Sequence, residues 1–282
     1  FFFKQKTAYE IYQCDWSSDV CSSDLKIVLI GDFGGGTSDF TLIKLHPGLF
    51  DKKDVLSIEG CPLAGDALDS VFMSQRLSEY FGAKSRYRLP LSNNVLSMPL
   101  GISQRLNHPA HIVHLKEKET YQFIKEVQKC ALSAKDNEAI ERLFILLEDQ
   151  QIFSFFETIE RAKRSLSESE STSFSFDYPG IELNENFAQA HFIEWSLDTK
   201  EKIFTALDRC LVSANVQPSQ VDLVCLTGGT AKVPFIRNEF AKRFGVERLQ
   251  TQSHFHSVLS GLVESASFWG QGQNISGLSV SF

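Results

Sequence analysis

No stretch of the 282 residues comes near the ~20 consecutive apolar residues that a membrane-crossing helix requires, so a helical membrane span is excluded and no membrane partner is expected. Basic charge is also scarce. Lys and Arg number 28 against 35 Asp and Glu, a net charge of −7, which leaves no excess for gripping a phosphate backbone and argues against a nucleic-acid partner. Six cysteines, at 14, 21, 61, 130, 210 and 225, form no CxxC pair, so neither a zinc ribbon nor a disulfide scaffold is expected, and a reducing cytoplasm suits them. A GxxxxGK[ST] loop is missing too, which removes the Walker-type nucleotide-binding class. What is present, 43% hydrophobic and 22% charged residues, is the composition of an ordinary soluble globular protein of one large domain or two, with a cytoplasmic location expected.

The first 25 residues fit neither an amphipathic element nor a signal peptide. Lys4 to Ile11 and Asp15 to Leu25 back-translate into strings resembling short-read sequencing adapters, in one frame across the segment between them. Residues 1–25 are therefore expected to be adapter-derived and to carry no function. The remaining chain then starts abruptly inside a strand, and the expectation is a fragment whose natural N-terminus is missing.

Lys26 to Ile30 is a short apolar β-branched run, followed by Gly31-Asp-Phe-Gly-Gly-Gly-Thr37 and the loosely alternating Ser38 to Leu45, which together predict a hairpin with a glycine-rich turn. A third strand is expected at Asp54 to Ile58. The segment from Leu63 to Asp69 opens a helix expected to run to about Tyr80, with Asp66 suited to the positive end of its dipole. Prolines at 90, 99 and 109 predict loops and short strands from Gly82 to Leu115. Helical spacing predicts helices over Glu117 to Ala134 and Asn137 to Ser169, then a half-buried strand at Ser171 to Phe176 and one or two helices between Asn184 and Val212. Val221 to Leu226 reads as a buried strand, Val233 to Phe244 as the helix after it, and Ser257 to Phe268 as a last, closely packing helix.

Three segments have the chemistry to hold a nucleotide. In Asp32-Phe-Gly-Gly-Gly-Thr-Ser-Asp39, glycines let backbone N–H groups converge on phosphate oxygens, and Thr37 adds a hydroxyl. Asp32, at the strand end, could hold a magnesium ion through water or orient an attacking water, although a glycine-rich hairpin is often merely a turn. In the second segment, Glu160, Lys163, Arg164 and Ser167 fall at i, i+3, i+4 and i+7, so one helical face presents an acid, two cations and a hydroxyl. Such a face could bind a ribose through Glu160, stack an adenine on Arg164 and touch the purine with Ser167, or simply be solvated. The third, Leu226-Thr-Gly-Gly-Thr-Ala-Lys-Val-Pro234, is a strand, a glycine turn and a helix with Pro234 in its first turn, open to a flat ring or a phosphate.

In order and content these segments resemble the nucleotide-binding domain of the seventy-kilodalton heat-shock chaperones, in the actin-like ATPase superfamily. Asp32 to Asp39 is similar to the family's second phosphate motif, Glu160 to Ser167 to its adenosine-contacting helix, and Leu226 to Pro234 to its adenosine motif. Leu63 to Asp69 resembles the LGGxDxD helix start, with Ala64 for a glycine and Ala67 for an acid. Thr227 to Ala231 and His256 to Val263 look closer to a short bacterial chaperone-like branch without a peptide-binding domain. Two departures stand out: Lys232 replaces an arginine beside the adenine, and Phe255 and His256 replace an acidic pair.

The resemblance implies an α/β fold, one lobe of an actin-like (ribonuclease H-like) ATPase with a mixed sheet, helices and an inserted smaller α+β subdomain. It implies a second-lobe core from 26–82 and 185–270, an insert at 83–184 carrying the adenosine-contacting helix, and a flexible tail at 271–282. ATP or ADP with Mg2+ would be the cofactors. Asp32 and Thr37 would be the catalytic residues, with Asp32 holding the metal through water. Gly34, Gly35, Gly36 and Thr37 would hold phosphate, and Glu160, Lys163, Arg164, Ser167, Gly228, Gly229, Thr230 and Lys232 the adenosine. The parent is expected to hydrolyse ATP slowly as a conformational switch and to meet protein clients or cochaperones. The chain itself, lacking the first lobe's phosphate loop and lysine, is expected to bind nucleotide weakly and turn over none. Alternatives are a non-hydrolysing actin-like scaffold or regulator, favoured by Ala64, Lys232 and Phe255, then a filament-forming ATPase and a sugar kinase.

Overall fold

The computed structural model describes residues 25–46 and 52–251. Along the chain run β1 Lys26–Phe33, β2 Ser38–Leu45, β3 Val55–Cys61, α1 Gly65–Gln75, β4 Arg86–Tyr87, β5 Leu96–Ser97, α2 Leu100–Leu106, α3 Pro109–Ile112, α4 Lys118–Lys129, α5 Ala134–Glu148, α6 Ile152–Ser165, β6 Ser171–Tyr178, β7 Ile181–Ala188, α7 Gln189–Trp195, α8 Leu197–Ser213, β8 Leu223–Thr227, α9 Pro234–Phe244 and β9 Leu249–Thr251. This mixed α/β sheet with interspersed helices and smaller accessory sheets is consistent with the actin-like ATPase fold carrying an extra subdomain, as expected. Two compact units divide the chain, one of residues 1–62 and 203–282, the other Leu63–Lys202. Residues 1–24, on which the adapter expectation falls, the expected helix at Ser257 to Phe268, the departures at Phe255 and His256 and the tail at 271–282 lie outside the described residues.

The first unit is built on a five-stranded sheet in the order β3-β2-β1-β8-β9. β1 and β2 form the expected antiparallel hairpin, and β2 pairs antiparallel with β3. β8 runs parallel to β1, and β9, which the sequence reading missed, runs parallel to β8. β1 is buried almost throughout, in keeping with a strand that is central and covered on both faces. On one face Phe33 meets Phe40 and Phe240 edge-on at 5.7 and 5.9 Å, which seats α9 on the sheet. On the other, Val28, Ile30, Ile43 and Cys225 form a small apolar cluster. The C-terminal half of α8 is anchored to β3 where the Ser57 hydroxyl donates to the Cys210 carbonyl at 2.7 Å.

The second unit packs around phenylalanines. Phe72 of α1 touches Phe187 and Phe192 at 5.0 Å each, and Phe155 of α6 packs on Phe81, Phe174 and Phe176. Three expectations fail here. The helix from Leu63 does not continue to Tyr80: α1 stops at Gln75, and a 3-10 turn at Leu77–Phe81 closes on Gly82, whose φ of 83° ends it. The long helix from Asn137 to Ser169 is two helices, broken where Gln150 takes a left-handed φ of 56°. Residues 100–112 are helical rather than looped, because Pro99 stands just before α2 and Pro109 opens α3, positions where a missing N–H costs nothing. Between Asn184 and Val212 the expected helices do form, as α7 and α8, but they are preceded by a strand that was not expected, β7, paired with β6 through the turn Pro179-Gly180.

Candidate functional site

The first unit gathers two of the three candidate segments. β1 ends at Phe33, and the turn Gly34 to Thr37 is closed by the Gly34 N–H donating to the Thr37 carbonyl at 2.9 Å. All four turn residues are exposed; the Gly34 N–H is taken by the Thr37 carbonyl, and those of Gly35, Gly36 and Thr37 make no hydrogen bond among the described residues. Asp32 stands opposite Asp39 across the antiparallel ladder, and opposed residues in such a pair share one face of the sheet. The Thr37 hydroxyl donates to Asp39 Oδ2 at 3.0 Å. On the other side of β1, Asp32 is level with Thr227 at the end of β8. Asp32, Asp39 and Thr227 therefore line one end of a sheet face whose middle is apolar.

After Thr227 the chain turns at Gly228, whose φ of 92° disfavours any side chain. A Cβ there would lie 1.8 Å from the Phe33 carbonyl oxygen, so the turn is pressed directly against the end of β1. At Gly229, by contrast, a Cβ would meet nothing within 4 Å. Thr230 is buried and its hydroxyl donates to the Gly34 carbonyl at 3.3 Å, tying the two glycine turns together. Lys232 is exposed at the end of a 3-10 turn, and α9 starts at Pro234. Sequence reasoning had both turns but not the register that places them side by side.

The remaining segment, Glu160 to Ser167, lies in the second unit, at the C-terminal end of α6. Its four residues do not all share one face. Glu160 and Arg164 are on the outer side and pair with each other at 2.6 Å. Ser167 lies past the helix end, where its hydroxyl donates to the Lys163 carbonyl at 3.3 Å. Lys163 is buried: its ammonium donates to Asp69 Oδ2 at 2.8 Å and to the Gly65 carbonyl at 3.2 Å, both on α1. Burial pushes the Asp69 carboxyl up to about 6, with Lys163 pulling against it and Glu160 and Asp66 adding to it. Asp69 is the member of this cluster that sequence reasoning passed over. It stood inside the quoted helix-start motif, but its partner lies 94 positions away.

Among the described residues no three His, Cys, Asp or Glu side chains converge as a ready metal cage. The donor set at the first turn, two carboxylates on one sheet face beside a threonine hydroxyl, nevertheless fits Mg2+, which keeps most of its waters and takes one or two carboxylates plus phosphate oxygens. Also among the described residues, no helix is long and apolar enough to cross a membrane.

The mixed sheet, with one glycine turn set against another beside opposed carboxylates, is consistent with the actin-like ATPase fold. Comparison with known proteins points the same way. Residues 133–260 match the family model described as Hsp70 protein. The chain is 25% identical over 219 residues to a heat shock 70 kDa protein of Neurospora crassa, an alignment covering 77% of this chain and 25% of the relative. It is 24% identical over 212 residues to a heat shock 70 kDa protein of Trichophyton rubrum and, equally, to heat shock 70 kDa protein 2 of Paracoccidioides lutzii, covering 74% of this chain and 23% of each. The chain thus spans about a quarter of the length of the curated relatives it matches.

Proposed function

We propose that this chain belongs to the heat shock protein 70 family and supplies the adenosine-side lobe of an ATP-binding protein whose parent hydrolyses ATP slowly as a conformational switch. The observation that carries this reading is the Thr230 to Gly34 hydrogen bond at 3.3 Å beside the parallel pairing of Asp32 with Thr227. It sets a turn with open N–H groups, suited to phosphate, against a turn in which Gly229 leaves room for a flat ring. Mg2+, when bound, would neutralise phosphate charge. The part of Asp32 and Asp39 would be to orient its water shell, and that of Thr37 to hydrogen-bond a phosphate oxygen. Clients and cochaperones would be proteins, and insert 83–184 would be the subdomain carrying Arg164.

A second reading, a non-hydrolysing actin-like regulator, is favoured by one feature. Lys163 is expected on the adenosine, yet its ammonium is buried against Asp69. Calorimetric titration of the 282-residue chain with Mg-ADP separates the two. The first reading expects weak binding, ~0.1–1 mM or about −4 to −5.5 kcal/mol, and turnover only in the full-length parent, where Asp32→Asn lowers the rate more than the affinity. Absence of heat with both chain and parent would leave the regulator.

A further inference from the structure

From Tyr80 to Lys116 the sequence has no Asp or Glu, while Lys84, Arg86, Arg88, Arg105 and Lys116 are basic, in a chain of net charge −7. This stretch precedes the 133–260 segment shared with the family model. Within it β4 and β5 form a two-stranded hairpin whose connecting loop, second strand and following helix start carry exposed apolar side chains: Leu89, Leu91 and Val95, Leu96, and Leu100. Leu91 is fully exposed at 110% and holds a φ of 64°, a backbone state costly for leucine. Neither its exposure nor its backbone stabilises the fold. Large apolar side chains clustered in solvent mark a binding surface.

The charges and the backbone define the partner. Lys84 is paired with Glu79 and Arg105 with Glu117, but among the described residues the exposed Arg86 and Arg88 guanidinium groups have no hydrogen-bond or ion-pair partner. On the outer side of β4 the ladder is filled, with the Arg88 N–H donating to the Cys130 carbonyl and the Leu132 N–H to the Arg86 carbonyl, each at 3.0 Å. On β5 the Met98 N–H points inward, to the Ser85 carbonyl at 2.9 Å, so by alternation Val95 and Ser97 direct their N–H and C=O groups to the open edge. An open edge can take one more strand.

The structure assigns the hairpin Arg86 to Ser97 as a docking surface for an acidic, apolar-rich segment of another protein, added as a strand along β5. The edge bonds the incoming backbone, the leucines and valine hold its apolar side chains, and Arg86 and Arg88 meet its carboxylates. A single-stranded nucleic acid would want exposed aromatic rings to stack on, and the hairpin's one aromatic, Tyr87, is buried. A lipid surface would leave the strand edge unused.

The test uses the whole chain and a fluorescein-labelled peptide that alternates glutamate with valine and leucine, followed by fluorescence anisotropy. Saturable binding is expected, weakened at least tenfold by Arg86→Glu with Arg88→Glu, by Leu91→Gly with Leu96→Ser, and by N-methylation of alternate peptide amides. Leu91→Gly relieves the left-handed backbone, so a melting temperature kept or raised by that single change shows that binding, not folding, was lost. Failure to saturate, or equal affinity for the variants or the methylated peptide, overturns the proposal. So does binding to phosphatidylglycerol vesicles in place of the peptide, or a dimer abolished by the arginine changes, which would give the surface to lipid or to a second copy.

Discussion

Lys163 and Asp69, 94 positions apart, meet at 2.8 Å with both side chains about nine-tenths buried. The lysine thereby fastens α6 to the first turn of α1, where it also reaches the Gly65 carbonyl. A buried pair of this kind is costly to break from one side, because the surviving charge has no water.

Lys163→Met should accordingly destabilise the second unit by about 3 kcal/mol, while the double change with Asp69→Leu should recover much of that loss. Urea melts of the four proteins give the cycle. Asp69 also predicts a pH dependence. Its folded carboxyl, raised to about 6 from 3.8, favours the fold when protonated, so this stabilisation is full below pH 3.8 and is lost as pH rises through about 6. In Lys163→Met the lowering influence of the lysine is gone, and the loss should extend to higher pH. An unchanged profile would show that the pair is not coupled.

Glu185 behaves oppositely. It sits on an inward position of β7 and accepts from the Tyr80 hydroxyl at 2.5 Å and from Arg76 at 3.0 Å. Burial pushes its carboxyl up, but these two hydrogen bonds outweigh burial and leave it below the ordinary 4.5. The resulting stability is present at neutral pH and lost as pH falls through the folded value. Glu185→Gln should cost about 1–3 kcal/mol at pH 7 and progressively less in acid below 4.5, as read from denaturant midpoints against pH.

The two neighbouring glycines separate architecture from binding. Gly228→Ala forces a Cβ into the Phe33 backbone and should cost more than about 2 kcal/mol. Gly229→Ala meets open space and should shift stability by less than about 0.5 kcal/mol while weakening adenine nucleotide binding. Thermal melts with and without Mg-ADP measure both. A Gly229→Ala protein that binds like the parent would remove this turn from the site.

Arg164 lies mostly in solvent, paired with Glu160, so Arg164→Ala should change stability by less than about 0.5 kcal/mol. Its affinity for adenine nucleotide in the full-length protein should nevertheless fall by about 1–2 kcal/mol, the scale of a lost stacked cation. Unchanged calorimetric affinity would make the pair an ordinary solvated one.

The sheet was legible because its strands are short apolar or loosely alternating runs flanked by glycine turns: Lys26 to Ile30, Ser38 to Leu45 and Val221 to Leu226 overlap β1, β2 and β8, although β1 runs on through Gly31 to Phe33. β7 was missed although Pro179-Gly180 marks its turn and Ile181, Leu183 and Phe187 alternate, because Glu185 interrupts the pattern at a position where Tyr80 and Arg76 satisfy it. Prolines misled at α2 and α3, being helix starters rather than breakers there. For the site, spacing put Lys163 and Arg164 together, whereas packing turned Lys163 inward to a partner that no local pattern could supply.

In the proposed function the turns at Gly34 to Thr37 and Gly228 to Lys232 form one nucleotide surface. Titrating the 15N-labelled 282-residue chain with Mg-ADP and following backbone amide shifts tests it residue by residue. Saturating shifts are expected at Gly34, Gly35, Gly36, Thr37, Gly229 and Thr230, with Mg2+ alone moving at most Asp32 and Asp39. No shifts at millimolar nucleotide, or shifts confined to other segments such as Arg86 to Ser97, would contradict it.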